Sequence, residues 1–451
     1  MATHVDLAVL ASIGDAVSLE TQPSQVTLEV KDQGILMAGG QAARIQWGAA
    51  IALPPKMEDN PKRSWPVDLN FLNWRSELIS LTSKRTLLSL VTTVLTVLIL
   101  LASVLLLGSS YETKPALAPA ADLASFSALS PIDAHVHLYK DDPAFGAFLK
   151  RLNLRIVDII VVDDRDPFGK GLEPQRSDVL KVVHVTAGRA LFCTTFDPYD
   201  FEDPGFAQRT IRQLDADFAE GAIAVKIYKV MGMEMKSKAG KYVMPDDPAF
   251  EPIYQSIAAH HRTVVAHIAE PDSCWQPPNT ASPDYAYYQQ HPEEYAYAHP
   301  EWPSKNAILA ARDHFLAENP KLRVVGAHLG SMETNVDEIA RRFDRYPNFA
   351  VDTAARIVYL MMQPRDKVRA FLIKYQDRVL YGTDLVVMPK DDTEKALAEW
   401  NDTYARDWTF FATNKTVEVK GRKVQGLELP KSVLRKLYHD NAVRWFPAGE
   451  L

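Results

Sequence analysis

Cysteine is nearly absent from this chain of 451 residues, which contains only Cys193 and Cys274. Two cysteines cannot build a disulfide framework or a cysteine-based zinc site. Any metal ion in the protein must therefore be held by nitrogen and oxygen ligands. The sequence also lacks an internal repeat, so it does not predict a solenoid or a propeller.

An excess of positive charge is also missing. The chain has 50 Lys and Arg residues against 57 Asp and Glu residues, which gives a formal net charge of -7. Nucleic-acid-binding proteins carry a basic stripe or patch that contacts phosphates. We therefore predict no nucleic-acid partner. The sequence leaves the oligomeric state open.

One stretch, residues 86–108, contains neither charge nor proline and reads TLLSLVTTVLTVLILLASVLLLG. At a rise of about 1.5 Å per residue, such a helix is long enough for a hydrocarbon core of about 30 Å. A buried soluble helix and a cleaved signal peptide are the alternatives. The run is longer than a signal-peptide core and lies far from the N-terminus. It therefore predicts a single transmembrane helix.

The charges that flank this helix predict its orientation. Arg75, Lys84 and Arg85 precede it, and only Lys114 follows within twenty residues. Because positive charge tends to stay in the cytoplasm, residues 1–85 are expected inside and the remainder outside, in the periplasm if the protein is bacterial. Residues 1–85 show no complete core pattern, although QVTLEV alternates like a strand, and we predict a mostly disordered segment.

After an Ala/Pro-rich linker, residues 109–130, the sequence changes character. Short apolar runs alternate with amphipathic stretches from 131 to 451, and this alternation predicts a parallel sheet covered by helices. Eight candidate strands favour a (β/α)₈ TIM barrel over a doubly wound sheet, whose Gly-rich first turn is absent. The candidate strands are IDAHVHL, RIVDIIVVD, VVHVTAG with ALFCTTFD, AIAVKIY, RTVVAHIAE, LRVVGAHLG, NFAVDTA and RVLYGTD.

The first of these strands carries two histidines, in PIDAHVHLY at residues 131–139. Strand alternation puts Asp133, His135 and His137 on one face. The same alternation puts Ile132, Ala134, Val136 and Leu138 on the other face. The histidines are therefore expected to point into the barrel near the carboxyl end of the strand, where barrel enzymes carry their active sites.

Four later strand ends carry similar residues. His267 ends RTVVAHIAE, His328 lies in LRVVGAHLG, and Asp384 lies in RVLYGTDL. Lys226 shares a predicted strand face with the small residues Ala222 and Ala224. A lysine inside a barrel is costly unless it is paired, modified or functional. A single buried histidine is commonly a structural residue, but five such strand ends predict one site.

This set of residues resembles the amidohydrolase superfamily of metal-dependent barrels, and within it the amidohydrolase 2 branch, which includes decarboxylases and lactonases. The matching motifs are DAHVH, Lys226, VVAHIAEP with His267, VVGAHLGS with His328, LYGTDL with Asp384, and the C-terminal LPKSVLRKLYHDNAVRWF with Asn441. The resemblance covers residues 131–447 and does not reach the N-terminal third.

The resemblance implies a ligand set: His135, His137, His267 and Asp384 would bind a metal ion. His328 would be a ligand of a second ion, or a catalytic acid/base that polarises the substrate. Lys226 would be a carbamylated bridge between two ions, or an unmodified lysine paired with Asp384, Glu270 or a substrate carboxylate. Histidine and aspartate ligands favour zinc and also suit Mn, Fe or Co.

From these residues we predict a hydrolase that uses a metal-activated water to cleave a C–O or C–N bond of a small molecule, such as a lactone, ester or amide. Asp384 would move the proton of the water to the leaving group. A non-oxidative decarboxylase of an unsaturated or aromatic acid is the alternative on the same scaffold. A barrel receptor without catalysis is a third reading.

Three residues are candidates for substrate binding. Arg356, after AVDTAA, has a planar fork that suits a carboxylate, although a surface salt bridge is the other reading. Glu270 and Trp275, in HIAEPDSCW, follow His267 closely. They open an insertion, residues 271–303, which is rich in Tyr and Trp. Because this insertion follows a strand end, it is expected to overhang the active face as a lid or a wall.

Overall fold

The computed structural model describes the short segments 17–22, 25–30, 35–38 and 41–44, and then residues 123–162, 171–419 and 421–447. The predicted transmembrane helix, residues 86–108, lies outside these ranges, as does most of the predicted linker. Across the described part of the chain, no helix combines the length and the apolar character that crossing a membrane requires.

The chain divides into two units, Met1–Thr113 and Lys114–Leu451. The first unit contains four short strands in the order β2-β1-β3-β4. β1 pairs antiparallel with β2 and parallel with β3, and β3 pairs antiparallel with β4. The alternating QVTLEV is β2. The remaining residues of 1–85 lie outside the described part, so disorder there stays a prediction. The strands are β1 (Val17–Gln22), β2 (Gln25–Val30), β3 (Ile35–Ala38) and β4 (Gln41–Arg44).

The second unit is built on one sheet of nine parallel strands, in the order β12-β11-β10-β9-β8-β7-β6-β5-β13. These strands are β5 (Ile132–Leu138), β6 (Arg155–Ile159), β7 (Ala190–Thr195), β8 (Ala224–Ile227), β9 (Thr263–Ala266), β10 (Arg323–Gly326), β11 (Phe349–Asp352), β12 (Val379–Leu380) and β13 (Leu385–Val387). A separate antiparallel hairpin, β14 (Thr416–Val419) and β15 (Arg422–Gln425), follows.

The two ends of this sheet meet. β12 pairs with β11, and β13 pairs with β5, although only four residues separate β12 from β13. Across the junction, the amide of Ala134 donates to the carbonyl of Tyr381 at 2.8 Å, and the amide of Asp384 donates to the carbonyl of His135 at 2.8 Å. β12 and β13 together thus act as an eighth strand, and the sheet curls into a TIM-barrel-like α/β fold.

Helices alternate with the barrel strands along the chain. They are α1 (Ala124–Ser127), α2 (Pro143–Arg151), α3 (Leu172–Val185), α4 (Phe206–Ala219), α5 (Glu251–Ala259), α6 (Tyr285–Gln290), α7 (Lys305–Glu318), α8 (Val336–Arg345), α9 (Ile357–Met362), α10 (Arg365–Lys374), α11 (Thr393–Ala412), α12 (Lys431–Arg435) and α13 (Asn441–Trp445). Short helical turns lie at Val230–Met233, Asp272–Trp275, Pro292–Glu294, Ala296–Ala298 and Ala327–Gly330, and a π-helical turn lies at Lys436–Asp440.

Local sequence explains where several of these helices begin. The side chains of Asp142, Ser304, Asn335 and Asp392 each accept a hydrogen bond from a first-turn amide, at the start of α2, α7, α8 and α11. Such caps satisfy amides that have no partner inside the helix. The predicted strand VVHVTAG was wrong, because its valines form the end of α3, where Val182 is buried on one helical face.

A small apolar cluster fills the inside of the barrel, separate from the larger core between sheet and helices. α13 contributes Ala442 and Trp445 to the inner cluster, and the hydroxyl of Thr263, at the start of β9, donates to the carbonyl of Trp445. Asn441 donates to the carbonyls of Gln376 and Val379 at 2.8 and 2.7 Å. The C-terminal helix therefore closes the barrel at the strand beginnings, and the opposite end is left for the site.

Candidate metal centre

The first strand reaches the site through an irregularity. The pairing of β5 with β6 shifts register between Asp133 and Val136. Ile132 and Ala134 belong to the inner cluster, whereas Val136 and Leu138 pack in the outer core. The even-numbered residues of β5 therefore face the inside of the barrel before the shift and the outside after it. A β-bulge produces such a change of face.

The prediction that Asp133 shares a face with the histidines was therefore wrong. The two oxygens of its buried carboxylate accept hydrogen bonds from the amide and hydroxyl of Thr383, at 3.0 and 2.6 Å. Oδ2 also accepts from the hydroxyl of Tyr404, on helix α11, at 3.0 Å. Asp133 is a structural residue that fastens β5 to the eighth strand and an outer helix.

The structure brings three of the predicted ligands together. One donor atom from each of His135, His137 and Asp384 lies within 4.8 Å of the others. Oδ1 of Asp384 is 3.5 Å from Nε2 of His135 and 3.4 Å from Nε2 of His137. Two imidazole nitrogens and a carboxylate oxygen that converge in this way suit a divalent cation.

Hydrogen bonds orient both histidines of this group. Nδ1 of His137 lies 2.7 Å from the carbonyl of Ile159, which can only accept, so Nδ1 carries the proton. Nδ1 of His135 lies 2.9 Å from Oδ2 of the fully buried Asp352. In each ring the proton on Nδ1 leaves a lone pair on Nε2, toward Asp384. Metal-binding histidines have this arrangement, in which the second ring nitrogen donates to a carboxylate or carbonyl.

His267 lies beside this group but is not one of its three members. Its ring centroid is 4.2 Å from that of His328, and its buried Nε2 has no hydrogen-bond partner. The nearest carboxylate oxygen, of Glu270, is 3.6 Å away. Burial, then the charge of Lys226, holds the pKa of His267 well below its ordinary value. A buried, neutral nitrogen without a partner fits a metal ligand better than a structural histidine.

A left-handed turn carries His328 into the site. Residues His328, Leu329, Gly330 and Ser331 have φ angles of 60, 57, 61 and 56°. Val325 and Ala327 already face the inner cluster, so simple alternation would have turned His328 outward. Left-handed backbone costs about 1–2 kcal/mol per residue other than glycine. Such strain is typical of functional sites, where the surroundings enforce it.

Four contacts hold this turn. The amide of His328 donates to Oδ1 of Asp352 at 2.8 Å, and its Nδ1 donates to the carbonyl of Ala354 at 3.0 Å. The hydroxyl of Ser331 donates to the carbonyl of Ala269 at 2.7 Å. Nη1 of the buried Arg312 donates to the carbonyl of Gly330 at 2.5 Å. With its proton on Nδ1, His328 presents a lone pair on Nε2, and its ring centroid lies 4.9 Å from that of His135.

Lys226 is fully buried in the barrel, and its Nζ lies 3.1 Å from Nε2 of His135. Ala224 shares the inner face with it, as predicted, but the prediction for Ala222 was wrong, because Ala222 packs in the outer core and Ile223 in the inner cluster. Burial holds the pKa of Lys226 below its ordinary value. The lysine therefore contacts the same lone pair that would bind a metal ion. Whether its amine is carbamylated stays a prediction.

Charged residues surround the centre, and the sequence analysis missed Lys229 among them. Lys229, only 2% exposed, forms 2.5 Å contacts with Oε1 of Glu270 and with Oε2 of Glu294 in the insertion. Arg356 lies 3.5 Å from Glu270 and 4.0 Å from Asp284, which also belongs to the insertion. The sequence offered one signal for Lys229: it lies three residues after Lys226, at the same strand end, and so belongs near the same site.

These contacts decide between a lid and a wall. The insertion is fastened through Glu294 to Lys229, and through Asp284 to the hydroxyl of Tyr359 on helix α9. Trp275, a predicted substrate-binding residue, donates from its indole to the carbonyl of Pro303 at 3.2 Å and so links the two ends of the insertion. The insertion is thus a fixed wall of the mouth. Its Cys274 is buried with a pKa of about 12, which excludes a reactive thiolate.

A cavity of about 410 Å³ opens at the same end of the barrel. Its lining includes Thr383, which precedes Asp384, and Ala355 and Ile357, which flank Arg356. Ile357, Val358 and Met361 of α9 line one part of it, and the charged residues Arg406 and Asp407 of α11 and Glu418 of β14 line another.

The family described as Amidohydrolase matches residues 132–448. No curated protein matches the chain.

Three solved structures are similar to this chain at low sequence identity. An uncharacterized TIM-barrel protein from Bordetella bronchiseptica is 15% identical, over 70% of this chain and 99% of its own, with a TM-score of 0.39. The 5-carboxyvanillate decarboxylase of Sphingomonas paucimobilis is 14% identical over 71% and 99%, with a TM-score of 0.39. The 4-oxalomesaconate hydratase of Rhodopseudomonas palustris is 12% identical over 70% and 96%, with a TM-score of 0.40. These similarities are too distant to indicate an activity.

The family match covers more than two thirds of the chain and includes all five strand ends that carry the histidines, Lys226 and Asp384. The chain belongs to the amidohydrolase family, in its amidohydrolase 2 branch, and is an enzyme of the metal-dependent amidohydrolase type.

Proposed function

We propose that this enzyme hydrolyses a C–O or C–N bond of a small molecule, such as a lactone, ester or amide. The position of Asp384 carries the proposal. One of its oxygens faces both Nε2 atoms of the histidine pair, and the other lies 4.0 Å from Nδ1 of His328. A carboxylate placed in this way has one oxygen to bind a cation and one to accept a proton.

His135, His137, His267 and Asp384 would hold the ion, and zinc is the proposed metal, with Mn, Fe and Co as the other fits. When bound, a divalent cation supplies Lewis acidity and makes hydroxide available near neutral pH. Lys226 and His328 would be the further donors if a second ion binds. Metal analysis of the purified protein determines whether one or two ions are present.

The protein's own groups then move the proton. Asp384 would accept a proton from the attacking water on Oδ2 and return it to the leaving group. His328 keeps its own proton on Nδ1, against the carbonyl of Ala354. Its Nε2 therefore acts as a proton acceptor or a ligand and cannot donate to a substrate carbonyl while the ring is neutral. Burial holds its pKa well below the ordinary value and favours the neutral ring.

The insertion and the residues beside the metal centre would select the substrate. Glu270, Arg356 and Trp275 are proposed to lie along the path of the substrate, on the side of the centre nearest the insertion. Oε1 of Glu270 already accepts a hydrogen bond from Lys229, so Glu270 would act mainly by holding Lys229 and Arg356 in place. The tyrosine-rich wall offers rings on which a flat substrate can stack.

The test is a survey of purified, metal-loaded protein against lactones, esters and amides, with parallel detection of CO₂ from aromatic and unsaturated acids. We expect metal-dependent bond hydrolysis that a chelator abolishes and added Zn²⁺ restores. Release of CO₂ without hydrolysis would establish the decarboxylase instead. A protein that binds no divalent ion, and is not stabilised by Zn²⁺ or Mn²⁺, would support the non-catalytic reading.

We also propose that residues 86–108 anchor the enzyme in a membrane, with the barrel on the extracytoplasmic side. The uncharged length of the segment and the flanking Arg75, Lys84 and Arg85 support this placement. The full-length chain should remain in the membrane pellet after carbonate extraction. The double variant Leu98→Arg/Leu100→Arg should appear in the soluble fraction. Recovery of the unmodified chain in the soluble fraction would exclude the anchor.

A further inference from the structure

Arg356 is a buried guanidinium without a close partner. The residue is 8% exposed. Its Nη1 lies 3.4 Å from the carbonyl of Ala355 and 4.0 Å from Oδ1 of Asp284, and its Nη2 lies 3.5 Å from Oε2 of Glu270. Its Nε has no hydrogen-bond partner. Charge-assisted hydrogen bonds are normally about 2.7–2.9 Å long, so every contact of this group is weak.

The two neighbouring carboxylates have closer partners elsewhere. Oε1 of Glu270 lies 2.5 Å from Nζ of Lys229. Oδ2 of Asp284 accepts a hydrogen bond from Ser273 at 2.6 Å and another from the hydroxyl of Tyr359. These bonds hold both acids at the edge of the guanidinium rather than in its fork. The guanidinium of Arg356 therefore keeps hydrogen-bonding capacity that the protein does not use.

The guanidinium lies beside the metal centre. Glu270 connects the two, since its Oε1 is 3.6 Å from Nε2 of His267 and its Oε2 is 3.5 Å from Arg356. A substrate that reaches the centre passes within the range of the charge of Arg356.

We propose that Arg356 forms an anion subsite that binds a carboxylate of the substrate, separate from the bond that is broken. This inference rests on the proposed function, because it assigns the substrate class of the same site. Arginine binds a carboxylate through two parallel hydrogen bonds, so the subsite would fix the orientation of the substrate as well as its charge. The substrate is then an acid that carries a hydrolysable lactone, ester or amide group.

The surroundings favour a carboxylate over a more highly charged anion. Glu270 and Asp284 lie on two sides of Arg356, and the charge of the buried Glu333 also acts on it. These acids would repel a dianion such as phosphate more strongly than a monoanion. Glu270 and Asp284 do not form a cation site, because each already accepts from donors of its own. The planar, singly charged carboxylate is the ligand that matches the geometry and the charge.

The experiment measures equilibrium binding, and it does not depend on turnover. Benzoate, benzamide, benzamidine and inorganic phosphate are titrated calorimetrically into the full-length protein, both metal-free and zinc-loaded. Wild type should bind benzoate more tightly than the other three probes in both forms. Arg356→Met should weaken benzoate binding at least tenfold, as expected for loss of a charged hydrogen-bonding group. Arg356→Lys should bind with intermediate affinity, because it keeps the charge without the fork.

Arg341→Met is the matched control, because Arg341 is an exposed arginine of α8 that pairs with Glu338. It should bind benzoate as wild type does. Equal benzoate affinity in wild type and Arg356→Met, or tighter binding of benzamidine or phosphate, would overturn the subsite. If Arg356→Met does not fold, Arg356→Lys decides, and wild-type affinity in that variant overturns the proposal. Asp384→Asn should lose hydrolysis and keep benzoate binding, so failure of the subsite and failure of the proposed function give different results.

Discussion

Asp352 and His135 form the central support of the metal centre, with Oδ2 of the aspartate 2.9 Å from Nδ1 of the histidine. The other oxygen of the same carboxylate accepts from the amides of His328 and Ala354, at 2.8 and 3.1 Å. One buried side chain therefore sets the tautomer of one predicted ligand and the backbone position of a second histidine. The sequence analysis did not assign Asp352 this role.

Replacing this carboxylate by an amide tests that role. In Asp352→Asn, the amide oxygen can accept from the amide of His328, but the amide nitrogen would then face Nδ1 of His135. That contact favours the tautomer with its proton on Nε2, which cannot bind a metal. We expect zinc affinity to fall about 10- to 100-fold, as is typical when a supporting partner of a ligand is lost. Competition with a chromogenic chelator measures it, and unchanged affinity would remove Asp352 from the centre.

The sequence identified the strand ends because apolar runs that end in His, Lys or Asp are visible as patterns. It could not locate the backbone irregularities that aim those side chains. The bulge in β5 places Asp133 outside the site, whereas the left-handed turn places His328 inside it. Both irregularities depend on contacts between strands that are distant in the sequence. VVHVTAG was misassigned because three valines within four residues favour a strand locally, while burial on one face of α3 decides the outcome. The role of Lys229 could not be predicted, because it depends on a contact with Glu294, which lies 65 residues away in the sequence.

Asp384 is expected to be essential for turnover and dispensable for folding. Asp384→Asn keeps the shape of the side chain and removes the proton acceptor, so hydrolysis should fall about 100- to 10,000-fold. The thermal midpoint should change little, because the backbone amide of residue 384 still donates to His135. Asp402→Asn, at an exposed aspartate of α11, serves as the control and should retain full activity. Wild-type rates in Asp384→Asn would exclude this residue from the chemistry.

Lys226 is expected to be dispensable for binding the first ion. Its Nζ lies 3.1 Å from Nε2 of His135, and the group of His135, His137 and Asp384 forms without it. Lys226→Met should therefore keep one zinc ion per chain, measured by mass spectrometry of the native protein and by elemental analysis. Turnover should still fall, because a buried donor above the centre is lost. Loss of all bound zinc in this variant would indicate a carbamylated, bridging lysine instead.

A buried carboxylate in β6 predicts how stability depends on pH. Oδ1 of Asp158 accepts from the amide of Leu138 at 2.9 Å, and Oδ2 has no partner. Burial raises the pKa of Asp158 from 3.8 to about 8, despite the hydrogen bond from Leu138. The folded state thus holds a proton that the unfolded chain loses near pH 4. The resulting stability is fully present below pH 3.8 and is lost as the pH rises through about 8.

The variant Asp158→Asn stays neutral at every pH and keeps an acceptor for Leu138. Its free energy of unfolding should exceed that of wild type by an amount that grows between pH 5 and pH 9, on the order of a few kcal/mol. Urea unfolding at both pH values measures this difference. Because all other titrating groups are common to the two proteins, a constant difference across this range would contradict the assignment.

Gly330, the glycine of the left-handed turn, should be difficult to replace. Its φ is +61°, and an added Cβ would lie 3.1 Å from Cε of Met332, 3.1 Å from Cζ of Phe349 and 3.3 Å from Cγ1 of Val351. Gly330→Ala therefore combines backbone strain of about 1 kcal/mol with overpacking of about 1–3 kcal/mol. Gly240→Ala is the matched control, since its φ is +77° and nothing lies within 4 Å of its added Cβ. Thermal unfolding of both variants separates the two effects.

Gly330→Ala should also lower activity, because the turn that it distorts places His328 beside the metal centre. Equal thermal midpoints in the two variants would show that the turn can repack around a methyl group.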